Sequence, residues 1–540
     1  MGTARSGQWR DAGRIVVLLV ISGAVKGWLL FHTEVPAKDG IGFIQYAARL
    51  RQEPWGQVLR QTQQHPLYPI HIRVTAELVE AVAGETSSTT WQLSAQLPNA
   101  LAGILLVVPL YLLGREVFGR RVGFWAALLF QVLPVPARVT ADALSEGVYL
   151  FWSAVALWAA VRGLRTRAPG WFALAGVAGG LAYLTRPEGA LVVCAAGFLA
   201  VALRVLGAWP VGWVRGFACG SCLAVATLAT VLPYWLTIGG LSVKPSFHNV
   251  LQADAGRSEG APTGGSPTLL LASRFTPGVD GKEWGEVSVW FALYEVVDEV
   301  CKGFHYVLWV PALVGVWWFR RRLRTSPGFA LLVFLGLLHL LVLWRLAVVN
   351  HYVSERHTVL LVLCGTIVAA AALFEAAERW PAKKRPDDEE PMPSAAAPRR
   401  RAAALLFDAV RRPRVVVGVV LVLLVGAGLV KTLRTMHGHR AGHRLAGLWF
   451  AAHARPGDQL VDPYGWALFY AERTPIIFPP ADSAPSASAN RYLVVEPHDR
   501  DTRRQQIIQE ASAGVGAGEP VLSWPQEASP RLVLYVAPVR

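Results

Sequence analysis

Residues 171–208 read WFALAGVAGGLAYLTRPEGALVVCAAGFLAVALRVLGA. Two apolar runs, uncharged up to Leu203, flank Thr185-Arg186-Pro187-Glu188. Proline disfavours helix at the residue before it, so the segment reads as two spans or as one helix broken at Arg186. Ionisable groups are costly in lipid and by default mark a pathway or a site. Working outward, a span needs about twenty mostly apolar residues. Stretches that fit lie at roughly 12–31, 93–113, 122–137, 143–161, 171–185, 188–208, 214–238, 304–319, 327–345, 357–375 and 414–432. The expectation is a polytopic α-helical membrane protein with about eleven transmembrane helices. Segment 122–137 is short and carries Pro134 and Pro136. Composition agrees: 53% of the 540 residues are hydrophobic and 16% charged, whereas soluble domains are about a quarter charged. The basic start before the first run (Arg5, Arg10, Arg14) resembles a signal peptide, but the run is long and lacks a clear small-residue cleavage site, so it reads as an uncleaved anchor.

The net charge of +15 could suggest nucleic acid, but its placement argues otherwise. Arg115, Arg120 and Arg121 fall in one short loop, Arg162, Arg165 and Arg167 in another, and Arg320, Arg321, Arg322 and Arg324 in a third. These alternate connections share one side, which the positive-inside rule assigns to the cytoplasm. The reading is an inner-membrane protein with a cytoplasmic N-terminus, lipid as its surroundings and no nucleic-acid partner. Residues 376–413 read as a disordered charged linker on that side, and 414–433 as the last span. Residues 434–540 lose the long apolar runs. Strand-like pieces (Gln459–Val461, Tyr492–Val495, Leu532–Val536) alternate there with a helical one (Arg503–Ala511), which predicts a small extracytoplasmic α/β domain. A lid, a docking module and a stabilising cap all fit that domain. Cys219 and Cys222 form a CxxC inside a span with no second pair, which gives little support to a metal or redox role.

The opposite, outer face gathers the polar residues that could do chemistry. Asp39 and Tyr46 follow the first span, and His65 and Tyr68 lie in a second cluster of the loop 32–92. Arg138, Asp142 and Glu146 flank the fourth span, Arg186 and Glu188 sit in the broken segment, and Arg345, His351, Glu355, Arg356 and His357 lie between the ninth and tenth spans. Each has a plain reading: a solvated loop acid, a turn histidine, arginines snorkelling to lipid phosphates, acids favoured by a helix N-terminus. Their convergence from five separated segments on one face is what favours a site.

In order, the acid after the first span, His65-Pro-Leu-Tyr68, Leu144-Ser-Glu-Gly-Val-Tyr-Leu-Phe151 and Gly180-Leu-Ala-Tyr-Leu-Thr-Arg-Pro-Glu-Gly189 resemble bacterial membrane glycosyltransferases of the GT-C fold. The nearest likeness is to the protein O-mannosyltransferase and aminoarabinose-transferase-like superfamily. The resemblance covers roughly residues 12–375 and implies a GT-C-like catalytic module over 1–375. It implies a hexosyl or pentosyl transferase with a polyprenyl-phosphate sugar donor and a protein, lipid or glycan acceptor. It assigns Asp39 as general base and Glu146 as the second acid, with Arg186 and Arg356 holding the lipid phosphate. Where many members have Asp-Glu in the first loop, Asp39 is followed by Gly40, so one carboxylate is lost. No metal is required for a monophosphate leaving group, although Asp39, Asp142, Glu146 and His65 could bind a divalent ion if they converge. A transporter of a lipid or sugar is the alternative from another class; it would place charges at mid-bilayer in broken helices, whereas here they lie at one interface. A polysaccharide-ligating membrane protein is a further alternative.

Overall fold

The computed structural model describes residues 2–244, 289–350, 352–379, 413–455 and 457–538, except 475, 478–489, 500, 513–518 and 527–528. Residues 380–412 of the charged linker expected at 376–413, most of the loop 239–303 and His351 lie outside them. Helix α1 (Gly2–Phe31) is followed by α2 (Lys38–Gln52), α3 (Trp55–Gln61) and α4 (Leu67–Ala83), so the first outer connection is a layer of short helices. Then come α5 (Ser88–Leu105), α6 (Val107–Phe118), α7 (Arg120–Val132), α8 (Pro134–Val139), α9 (Glu146–Thr166), α10 (Pro169–Thr185), α11 (Ala190–Val205) and α12 (Trp213–Ile238). After the undescribed segment follow α13 (Val289–Gly303), α14 (Trp309–Trp318), α15 (Pro327–Asn350), α16 (Val359–Arg379) and α17 (Pro413–Thr432).

Eight stretches among the described residues are long and apolar enough to cross a membrane. Three of the eleven expected spans fall short, each for a local reason. Pro134 opens a separate helix after α7, which a ring without an N–H does readily at a first turn. Arg186, with φ −151°, ends α10 before Pro187. Left-handed backbone at His305 and Tyr306 delays α14, which has only 10 residues. The broken segment is therefore two helices joined by a 3-10 turn, Pro187–Gly189. Gly189 is required there: a Cβ would stand 2.3 Å from the Tyr183 amide nitrogen.

The C-terminal region comprises α18 (Ala441–His453), β1 (Gln459–Val461), α19 (Trp466–Tyr470), β2 (Asn490–Val495), α20 (Thr502–Ser512), β3 (Glu519–Trp524) and β4 (Leu532–Pro538). The sheet order is β1-β2-β4-β3, parallel between β1 and β2 and antiparallel elsewhere. β3 is the strand the sequence reading lacked. Tyr492 and Val494 alternate inward along β2, as the two-residue period of a strand requires. This region does not hang from α17 as a separate body. Phe450, Trp466, Phe469 and Tyr470 share one apolar core with Ile44 of α2, Tyr68 of α4 and Trp91 of α5. That packing ties the region to the layer of short helices after α1.

Candidate active site

The site lies where α2, the turn before α9, the α10–α11 break and the chain ahead of α16 meet. Asp39 occupies the first turn of α2. Gly40 beside it is small because a Cβ would meet the Ala143 carbonyl oxygen at 2.7 Å; its size serves packing against the pre-α9 turn, not approach to a ligand. Asp39 accepts a hydrogen bond from Arg356, Nη1 to Oδ2 at 2.5 Å, across 317 residues of sequence. Burial alone would raise the Asp39 pKa. The Arg356 guanidinium, with Lys244 and Arg186 beyond it, outweighs that and holds the carboxyl below its ordinary value.

Glu146 begins α9 and is 1% exposed. Asn99 sets it in place, donating to the carbonyls of Val139 (2.7 Å) and Asp142 (2.9 Å) and accepting from the Gly147 amide. Arg186 donates to Glu146 (2.6 Å) and to Glu188 (3.3 Å). Glu146, Arg186, Glu188, Arg356, His357 and His339 line a common cavity. Glu146 Oε2, Glu188 Oε2 and His339 Nδ1 are buried without a hydrogen-bond partner among the described residues. Buried polar atoms are nearly always satisfied, so three spare ones around one cavity mark a place for a polar ligand or water.

Asp39, Glu146, Arg186, Glu188, Arg356 and His357 are thus brought together. The other expected site residues are not. Tyr68 is fully buried and spends its hydroxyl on the Ala95 carbonyl, 2.6 Å. Tyr46 is buried with Leu50 and Val58. Arg138 donates to the carbonyls of Arg434 and Thr435, beyond the last span. Asp142 accepts from the amides of Ala37 and Ala143 and pairs with His437 at 2.7 Å. None of these four lines that cavity, because position in a connecting segment does not tell which way a side chain points. Glu355 faces a different set, Glu299, Lys302 and Arg138. No set of three or more His, Cys, Asp or Glu side chains with metal-ligating spacing occurs among the described residues.

His65 acts at one remove. Its Nδ1 lies 2.6 Å from the Tyr183 carbonyl and its Nε2 2.9 Å from Ser242 Oγ, which in turn accepts from the Lys244 amide. Burial, with Lys244 nearby, brings its pKa down to about 4, so it is a neutral strut. Lys244 is the residue the sequence reading missed. Burial lowers its ammonium pKa, while Glu188 and Asp39 oppose that and Arg186 and Arg356 add to it, which places it in the same charge cluster. The available signal was its being the first cation after the span that ends at Ile238.

The fold has known counterparts. The family model for dolichyl-phosphate-mannose-protein mannosyltransferase matches residues 69–235. ArnT from Cupriavidus metallidurans, bound to undecaprenyl phosphate, superposes with a TM-score of 0.57 at 15% identity, over 97% of this chain and 98% of that one. The Archaeoglobus fulgidus oligosaccharyltransferase in its apo form is similar at 14% identity and a TM-score of 0.43, over 88% of this chain and 61% of that one. No curated protein matches the sequence. The helical layout and the near end-to-end superposition give this chain a polytopic GT-C-like fold.

Proposed function

We propose that this chain is a membrane glycosyltransferase that moves a sugar from a polyprenyl-phosphate donor to an acceptor hydroxyl on a protein, lipid or glycan, at the outer face of the inner membrane. The carrying observation is the Asp39–Arg356 pair, a carboxylate held by a cation that a phosphate would claim. Arg356 and Lys244, with Arg186 behind them, neutralise the donor phosphate; a planar guanidinium suits its oxygens. Once Arg356 turns to the phosphate, Asp39 loses the partner that depresses its pKa and becomes a better base. The acceptor oxygen then attacks the anomeric carbon, its proton passes to Asp39, and the carbon–oxygen bond to phosphate breaks with its electrons leaving on the phosphate. The cations stabilise that developing charge. Glu146, fixed by Asn99 and Arg186, keeps Oε2 for a substrate hydroxyl. In this reading the N-terminus is cytoplasmic and the C-terminal region lies outside.

Asp39→Asn tests it. The side chains are nearly isosteric, so the variant is expected to fold and to bind undecaprenyl phosphate as the wild type does. Its turnover, measured with a polyprenyl-phosphoryl sugar and an envelope acceptor extract, is expected to drop about 10²–10⁴-fold with little change in donor KM. A well-folded variant with near wild-type turnover would remove Asp39 from the chemistry and leave Glu146 as the leading base.

A further inference from the structure

Residues 33–37, between α1 and α2, form no regular helix, yet they set where α2 begins and so where Asp39 points. Nearly every residue of this short stretch is tied. Glu34 donates its amide to the Met436 carbonyl at 3.1 Å, and its own carbonyl lies 3.1 Å from the Tyr470 hydroxyl, which it shares with the closer Gln92 Oε1. The Pro36 carbonyl accepts from the Trp466 indole at 2.9 Å. The Ala37 amide donates to Asp142. Lys38 Nζ donates to the Tyr464 carbonyl and sits 5.1 Å from the Trp466 ring centre. Neighbouring residues on a helix point about 100° apart, so with Lys38 locked into the C-terminal region, Asp39 is turned towards Arg356. Trp466 and Tyr470 are 4% and 1% exposed; no substrate reaches them.

We propose that the C-terminal region is the back wall of the active site, with Trp466, Tyr470 and the Tyr464 carbonyl holding residues 34–38 so that Asp39 meets Arg356. Trp466, Tyr470 and Lys38 are then positioning residues. The inference rests on the reading of Asp39 as the base.

Neutral changes test it without adding or removing charge. Trp466→Phe keeps an aromatic ring and loses the indole N–H; Tyr470→Phe loses one hydroxyl. The charged groups facing Asp39 are Arg356 ahead of α16, Lys244 after α12, Arg186 at the α10–α11 break and Lys38 on its own helix, and none is altered. A misplacement of about 1 Å can cost on the order of 10²-fold, so the double variant is expected to lose about tenfold or more in kcat while donor KM stays within about twofold. The distinguishing sign is the acid limb of kcat/KM against pH. If Asp39 drifts from Arg356, its pKa rises and the limb moves to higher pH. An unchanged kcat overturns the proposal, and so does a fall in kcat with the limb unmoved, which is what general destabilisation produces. If Trp466→Phe does not fold, as judged by undecaprenyl phosphate binding, Tyr470→Phe decides by the same criteria. The same changes in an Asp39→Asn background are expected to cost nothing more. Should Asp39→Asn itself turn over normally, the base assignment fails and this proposal with it; a large loss in Asp39→Asn with unchanged kcat in the wall variants overturns this proposal alone.

Discussion

Two of this protein's ion-pair clusters are built differently. In the basic one, both Asp11 oxygens are taken, by Tyr111, Arg115 and Arg120, and both Glu116 oxygens by Arg162 and Arg165. In the other, Arg356 meets Asp39 through one nitrogen, and Glu146 and Glu188 each keep an unpartnered oxygen. The first has every carboxylate oxygen taken and staples α1, α6, α7 and α9. The second leaves hydrogen-bonding capacity unspent where burial makes that costly. Identical residue types can thus be cement or a site, and the number of partners per oxygen distinguishes them.

The contrast breaks most visibly at Arg186. Arg186→Ala would strand Glu146 and Glu188 as uncompensated buried carboxylates, with an expected loss of about 3–5 kcal/mol. Arg115→Ala leaves Arg120 on the same acid and is expected to cost about 1 kcal/mol or less. Thermal unfolding in one detergent checks both; equal losses would mean that the open cluster is as redundant as the closed one. A smaller effect is expected at Lys244. Lys244→Met keeps most of the stem and removes one charged donor to the phosphate, worth about 1.5–3 kcal/mol. Donor KM is expected to rise about tenfold or somewhat more with kcat changed less. An unchanged KM would place Lys244 outside the phosphate site.

What the sequence disclosed follows the range over which its signals act. Apolar run length located all of the long helices, and Arg186-Pro187 marked a break because proline acts on its immediate neighbour. The short lengths of α7 and α14 escaped because a proline or two left-handed residues end a helix without ending the apolar run. The pairing of Asp39 with Arg356 spans 317 residues, beyond any local pattern; the order of motifs pointed to it only through resemblance. Asp142 looked like Glu146's helical neighbour, but the chain from 139 to 145 is a series of turns that sends it to His437 instead. Lys244 passed unnoticed as one lysine after a span. The fixing of residues 34–38 by the C-terminal region depends on backbone carbonyls, which carry no sequence signature at all.

The central claim is that the open cluster holds the phosphate of a lipid carrier and the closed one does not. Binding of undecaprenyl phosphate to the protein in nanodiscs measures this directly, with Arg356→Gln and Arg115→Gln each removing one cation from one cluster. The account predicts that Kd rises about tenfold or more for Arg356→Gln and stays at the wild-type value for Arg115→Gln. Equal Kd values for wild type and Arg356→Gln, or weakening only in Arg115→Gln, would contradict it.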